Sequence, residues 1–103
     1  MIKRNKGKTQ TAEMLAEIEP TKTIKDSELV KHNNEDSLWV AICGRVFDLT
    51  EFYMEHPGGY DVIEAVAGKE ATQEFEEGGH DAVSIRDLKK YYIGEYEAKK
   101  LNL

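Results

Sequence analysis

One cysteine, Cys43, and two prolines, Pro20 and Pro57, are all that this chain of 103 residues has of the usual covalent and conformational stiffeners. A lone thiol excludes an intrachain disulfide and fits a reducing compartment. Together with three scattered histidines it also lacks the paired ligand spacing of a structural zinc site. No apolar run approaches the roughly 20 residues of a membrane-spanning helix. The basic N-terminus (Lys3, Arg4, Lys6, Lys8) is followed by no signal-peptide apolar stretch. The sequence therefore reads as soluble and cytoplasmic, with no membrane anchor. Positive charge is scarce as well. The formal net charge is -6, which argues against nucleic acid as a partner because phosphates repel an acidic surface. The imbalance is concentrated: Asp48 to Asp87 holds eleven acidic residues against Lys69 and Arg86. Such a stretch is either a solubilising coat or a docking face for a basic partner. A chain this short builds a marginal core. With disulfides excluded, a bound cofactor is the remaining source of support.

Two segments differ in composition. Residues 1–20 form a basic arm: Met1 to Gln10 is polar, and Thr11 is placed to cap a short helix through Glu19, with Met14, Leu15 and Ile18 on one face before Pro20 ends it. Residues 21–103 hold the domain, its compact part ending near Tyr96. Asp26 or Ser27 can cap a short helix carrying Leu29 and Val30. Leu38 to Cys43 is an apolar, β-favouring run and predicts a buried strand. Gly44-Arg45 reads as a tight turn, with Val46 to Leu49 as the returning strand. Thr50 is a good N-cap for a helix through Glu55 with Phe52 inward. Pro57 stops that helix at His56, and Gly58-Gly59 permits a sharp reversal. Helices are then predicted over Tyr60–Ala67, closed by Gly68, over Lys69–Glu77, broken by Gly78-Gly79, and over Ser84–Tyr92, ended by Gly94. There is no internal repeat.

Two histidines, His56 and His80, each lie at a helix end beside glycines, 24 positions apart. Iron in a porphyrin takes neutral imidazole as an axial donor, and two such donors must come from separate segments on opposite sides. Glycines such as Gly58 let backbone approach a large flat cofactor. Without a Cys-x-x-Cys-His run, any such cofactor is held non-covalently. The alternative stands beside this. A histidine before Pro-Gly-Gly is ordinary turn punctuation, His80 is a surface loop residue, and Leu49, Phe52, Val62, Ile63 and Phe75 are an ordinary core. Composition and spacing leave both readings open.

An ordered string of short matches adds to this reading. It runs Leu29-Val30-Lys31-His32-Asn33, Leu38-Trp39-Val40, Val46-Phe47-Asp48-Leu49-Thr50, Phe52, Glu55-His56-Pro57-Gly58-Gly59, Ala67-Gly68, Ala71-Thr72, Phe75, Gly79-His80 and Ile93-Gly94. Over about Ile24 to Tyr96 the chain closely resembles the cytochrome b5 family, whose signature is His-Pro-Gly-Gly with a second histidine at this distance. The resemblance implies an α+β fold, a small mixed β-sheet with two helical hairpins gripping one haem b. His56 and His80 match the axial ligands. Ile42, Leu49, Phe52, Val62, Ile63, Phe75 and Leu88 or Tyr91 match the haem slot, with Gly58 beside the first ligand. The implied function is a monomeric, soluble electron carrier, not an enzyme. It would shuttle single electrons from a flavin-type reductase to a haem or non-haem iron enzyme such as an oxygenase or desaturase. Glu55, Asp61, Glu64, Glu74, Glu76, Glu77 and Asp81 would ring the haem edge and steer a basic partner.

The chain departs from the family pattern in places. Asp81 follows the second ligand where a small hydroxyl residue that bonds a haem propionate is common. Gly78 stands where a larger apolar residue is common, which implies a more exposed haem edge. Asp87 falls at a position often aliphatic. The C-terminal membrane anchor of many members is not seen. Two other functions compete. One is a haem- or steroid-binding interaction module, whose branch of the family does not keep the paired histidines. The other is a redox subunit committed to one complex through residues 1–20. No nucleophile–base set stands out for a hydrolase or transferase, and Cys43, Ser84 and His32 read as structural or surface residues.

Overall fold

The computed structural model describes residues 10–55, 60–78 and 82–98. Its elements run α1 (Gln10–Leu15), β1 (Thr23–Lys25), α2 (Asp26–Leu29), β2 (Asn33–Asn34), β3 (Ser37–Ile42), β4 (Arg45–Asp48), α3 (Thr50–Glu55), α4 (Tyr60–Ala65), α5 (Thr72–Glu77), α6 (Ala82–Leu88), a 3₁₀ turn (Lys89–Tyr91) and β5 (Tyr92–Glu97). The strands form one five-stranded sheet in the order β1-β5-β4-β3-β2. The pair β1–β5 is parallel, and the neighbours β5–β4, β4–β3 and β3–β2 are antiparallel. The architecture is α+β with a mixed sheet.

Alternation along β3 and β4 divides the core. Leu38, Val40 and Ile42 join Phe47 in the larger cluster, with Leu15, Leu49, Tyr53, Ile63, Ile85 and Leu88 from the helical side. Ala41 and Val46 point the other way, to Ile24 and Leu29. This is the period-two logic of a strand buried on both faces. α1 belongs to the larger cluster, since Leu15 is fully buried there and Glu17 ion-pairs with Lys89 at 2.6 Å.

Several local expectations are corrected. Thr11 does not cap α1 from outside; it is buried within the helix, and the chain leaves it through i→i+3 bonds such as Ile18 N–H to Leu15 O at 3.1 Å. Neither Asp26 nor Ser27 caps α2. Lys25 precedes the helix without a side-chain cap, and the Asp26 carboxylate instead accepts the Tyr96 hydroxyl at 2.8 Å. The β3–β4 turn is Cys43-Gly44, with φ of 51° and 82°, and Ile42 pairs with Arg45. That is the double positive-φ signature of a tight hairpin, shifted one residue from Gly44-Arg45. The Thr50 hydroxyl is used elsewhere: it accepts the Leu38 N–H at 2.9 Å and donates to Asp48 Oδ1 at 2.6 Å. The Asp48 carboxylate takes the Thr50 N–H at 3.0 Å.

The larger corrections concern α5 and the C-terminus. Residues 69–71 are not helical. Ala41 N–H donates to Lys69 O at 3.0 Å, Ala71 N–H donates to Ala41 O at 2.7 Å, and Gly68 N–H donates to Trp39 O at 2.7 Å. The free edge of β3 claims these groups, so the helix begins only at Thr72. Gly68 makes this docking possible. Its φ is +74°, and a Cβ there would stand 2.9 Å from the Asn33 Cβ. At the other end, the predicted helix to Tyr92 stops at Leu88, and Tyr92–Glu97 is the strand β5 between β1 and β4. Gly94 does not end a helix. It lets β5 pass β1 closely, since a Cβ would meet Ile24 Cδ1 at 2.8 Å and Lys22 O at 2.9 Å.

Candidate functional site

The sheet presents Val40, Ile42 and Leu49 to a cleft whose other walls are helical: Phe52 from α3, Ile63 and the following Val66 from α4, Ala71, Glu74, Phe75 and Gly78 from α5 and its flanks, and Ser84, Leu88 and Tyr91 from α6 and the 3₁₀ turn. With its open mouth the cleft spans about 880 Å³. Phe52 and Tyr91 meet inside it, ring centroids 5.6 Å apart and planes inclined at 54°. Such tilted pairs satisfy the ring quadrupoles while filling apolar space.

Of the residues matched to the haem slot, Ile42, Leu49, Phe52, Ile63, Phe75, Leu88 and Tyr91 all lie on this one cleft. The choice between Leu88 and Tyr91 dissolves, because both line it. His56, Gly58 and His80 lie outside the described residues, and so does Asp81. Val62 has its backbone in α4 but its side chain is outside what is described. In sequence, His56 directly follows α3 and His80 stands two residues before α6.

Sequence reasoning missed Val40, Val66, Ala71 and Ser84 on the cleft wall, and named Glu74 only as part of the acidic ring at the haem edge. Val40 was legible by alternation with Ile42 on β3, and Val66 by its three-residue spacing from Ile63. Ser84, read as structural or surface, lines the cleft while remaining exposed. Ala71 carried no signal, because it is placed by the bond to Ala41 and not by a helical period. Gly78 does line the wall where the family pattern often has a larger residue.

His32 and Cys43 are outside the cleft lining and are structural. His32 stacks flat on Trp39, centroids 3.5 Å apart at 8°. Its Nδ1 bonds Ser37 Oγ at 2.6 Å and its Nε2 bonds Glu28 Oε2 at 2.8 Å. The bond from His32 holds the Glu28 carboxyl below its usual range. Cys43 sits at the hairpin turn, with its Sγ 3.9 Å from Glu76 Oε2. Burial, then the Glu76 and Glu70 carboxylates, push its thiol up, which disfavours a reactive thiolate. Thr72 bonds Glu70 and also accepts the Cys43 N–H at 2.7 Å, pinning the start of α5 to the hairpin.

Charge surrounds the helical side. Glu55, Glu64, Glu74 and Glu77 are exposed on α3, α4 and α5, Glu76 is half-buried, and Glu74 reaches the cleft wall. No described helix is long and apolar enough to cross a membrane.

The comparisons with known proteins assign this fold to a family. A family model described as a cytochrome b5-like haem/steroid binding domain matches residues 25–97. The chain belongs to the cytochrome b5 family. Cytochrome b5 of Drosophila melanogaster is 44% identical over 77 residues, covering 75% of this chain and 58% of that protein. Cytochrome b5 of Borago officinalis is 39% identical over 75 residues, covering 73% and 57%. The chain thus spans somewhat over half the length of the curated relatives it matches. Among solved structures, cytochrome b5 of Ostreococcus tauri virus 2 aligns with a TM-score of 0.63 at 36% identity, covering 71% of this chain and 94% of that one. Cytochrome b558 of Ectothiorhodospira vacuolata, titled a prokaryotic homologue of cytochrome b5, aligns at 0.66 and 30% identity, covering 71% and 95%.

The walls fit the family's cofactor. Haem b is an apolar macrocycle with carboxylates on one edge, and here aliphatic and aromatic side chains line the cleft while the polar liners Glu74 and Ser84 are exposed. Haem b is the cofactor this domain is built to hold.

Proposed function

We propose that this b5 domain is a single-electron carrier, not an enzyme, with His56 and His80 as the axial ligands of one haem b. The observation that supports this most directly is the apolar cleft itself. Its walls come from α3, α4, α5 and α6, and the two histidines stand in the two segments that join those helices in pairs. When bound, haem supplies a ferric/ferrous couple. His56 and His80 would hold the iron, and with two imidazole donors bound it would favour fast outer-sphere electron exchange over oxygen chemistry.

The chain's own residues do the rest. Ile42, Leu49, Phe52, Ile63, Phe75, Leu88 and Tyr91 exclude water from the cleft. In a low-dielectric pocket, polarity and burial set the potential. Glu55, Glu64, Glu74, Glu76 and Glu77, with Asp61 and Asp81, would steer a basic partner to the open side, from a flavin-type reductase as donor and to a haem or non-haem iron enzyme as acceptor. The domain would work as a cytoplasmic monomer.

The test is a stopped-flow measurement of the reduced, haem-loaded chain against a basic haem protein such as ferric cytochrome c. Electron transfer should be rapid, bimolecular and slower as salt rises through the range where the Debye length shrinks below about 10 Å. A salt-independent rate would mean that the acidic surface does not steer the partner. A protein that loads haem but exchanges no electrons would remove the carrier function.

A further inference from the structure

α3 and α4, six residues each, are joined in sequence by His56-Pro57-Gly58-Gly59. Helices this short do not hold themselves, and their place is set by what they pack and bond against. The Tyr53 hydroxyl on α3 donates to Glu64 Oε2 on α4 at 3.1 Å. Tyr53 is 7% exposed and sits in the larger core cluster together with Ile63. Its backbone N–H donates to Leu49 O at 2.8 Å. The ring is therefore fixed by packing, and the hydroxyl reaches out to a carboxylate on the exposed side of α4. In sequence each partner directly follows a cleft wall residue, Phe52 before Tyr53 and Ile63 before Glu64.

The geometry points to Tyr53 and Glu64 as a positioning pair: a hydroxyl–carboxylate clasp that fixes the spacing of the helices on either side of His56, and so holds that ligand and the Phe52 and Ile63 walls onto the haem. The inference rests on the reading of His56 as a ligand. Neither residue touches the iron. A hydroxyl donating to an ionised carboxylate is among the stronger hydrogen bonds, and its loss leaves the opening of α3 from α4 less resisted. That opening widens the cleft between two of its walls, so the clasp governs how fast haem leaves and how firmly the first imidazole is oriented.

The experiment uses the full chain loaded with haem, with Tyr53→Phe, Glu64→Gln, Glu64→Leu and the double variant Tyr53→Phe/Glu64→Leu. Three quantities are read: the rate of haem transfer to excess apomyoglobin, the ferric EPR g-values, and the melting temperature of the apoprotein. Tyr53→Phe and Glu64→Leu should each speed haem loss about five- to tenfold and broaden or shift the g-values. The double variant should be no worse than either single one, because one bond is lost in all three. Glu64→Gln keeps an acceptor and should stay within about twofold of wild type. Because Glu64 is exposed, its variants remain informative even where Tyr53→Phe folds poorly. Unchanged haem loss and g-values with a lowered apoprotein melting temperature would overturn the clasp and leave a purely structural bond, and additive single effects would also overturn it. A wild type that loads no low-spin haem would overturn both the clasp and the ligand reading. Wild-type low-spin haem with indifferent variants would overturn the clasp alone.

Discussion

Phe52 and Tyr91 face each other inside the cleft with centroids 5.6 Å apart and planes at 54°, although 39 positions separate them in the chain. One comes from α3 beside the first proposed ligand, the other from the turn that follows α6. Their contact ties the two helical walls together, and both rings are half-buried and line the cleft. Replacing Phe52 by Ala should therefore destabilise the haem-loaded protein more than the apoprotein, since ring area buried against haem counts only when haem is bound. An additional loss of roughly 1–3 kcal/mol in the loaded form is expected from the area removed. Melting of the two forms, wild type and variant, measures it, and equal losses would contradict the placement of Phe52 on the cofactor.

Gly94 should tolerate no side chain. An added methyl meets Ile24 Cδ1 and Lys22 O, and the latter is held by the Glu95 N–H at 2.7 Å, so the strand cannot yield without giving up that bond. Gly94→Ala should cost about 1–3 kcal/mol, in the range of overpacked sites. Urea unfolding of the loaded protein would show it as a lower midpoint at unchanged slope, and a wild-type midpoint would mean that β1 yields at Lys22 and Ile24 to admit the methyl.

How much of this was legible in the sequence depends on what set each element. β3, β4 and the helix bearing Phe52 announced themselves through an apolar β-favouring run, a turn and a cap-like threonine, and the cleft's aliphatic and aromatic residues other than Val40 and Val66 followed from the family resemblance. β5 did not, because Tyr91 and Tyr92 continue a helical spacing and Gly94 imitates a stop. Only the close pass of β5 along β1 explains that glycine. The start of α5 was hidden for a different reason: Lys69, Glu70 and Ala71 are good helix formers, and only the free backbone of Ala41 pulls them out of the helix. The one-residue shift to Cys43-Gly44 arose because cysteine is a poor candidate for positive φ, yet the hairpin demands it.

Tyr96 gives a pH prediction. Burial, then its bond to the Asp26 carboxylate, then the charges of Asp26 and Glu70 push its hydroxyl up to about 12, from 10.0. The folded protein thus keeps this proton where the unfolded chain releases it. The contribution is fully present below pH 10 and is lost as pH rises from 10 towards 12. Stability by urea unfolding should fall across that window, and Tyr96→Phe should flatten the fall. An identical slope in the variant would remove Tyr96 from the titration.

Leu15 lies outside the stretch matched by the family model, yet it is fully buried in the main cluster. Leu15→Ala should cost about 2–4 kcal/mol, as other buried leucines do. Deleting residues 1–20 should lower the melting temperature further, because the Glu17–Lys89 ion pair and the Met14 and Ile18 contacts go with it. A truncated chain that melts like the full one would mean that α1 only rests on the domain.

His56 and His80 are proposed to hold the iron from opposite sides. The measurement that tests it most directly is the visible absorption spectrum of the haem-loaded chain, oxidised and then reduced with dithionite, with and without carbon monoxide, for wild type, His56→Ala and His80→Ala. Wild type should bind one haem per chain and give a sharp low-spin spectrum that carbon monoxide leaves unchanged. Each variant should give a high-spin, carbon-monoxide-sensitive spectrum or lose haem. A variant that keeps the wild-type spectrum, or a wild type that binds carbon monoxide, would contradict it.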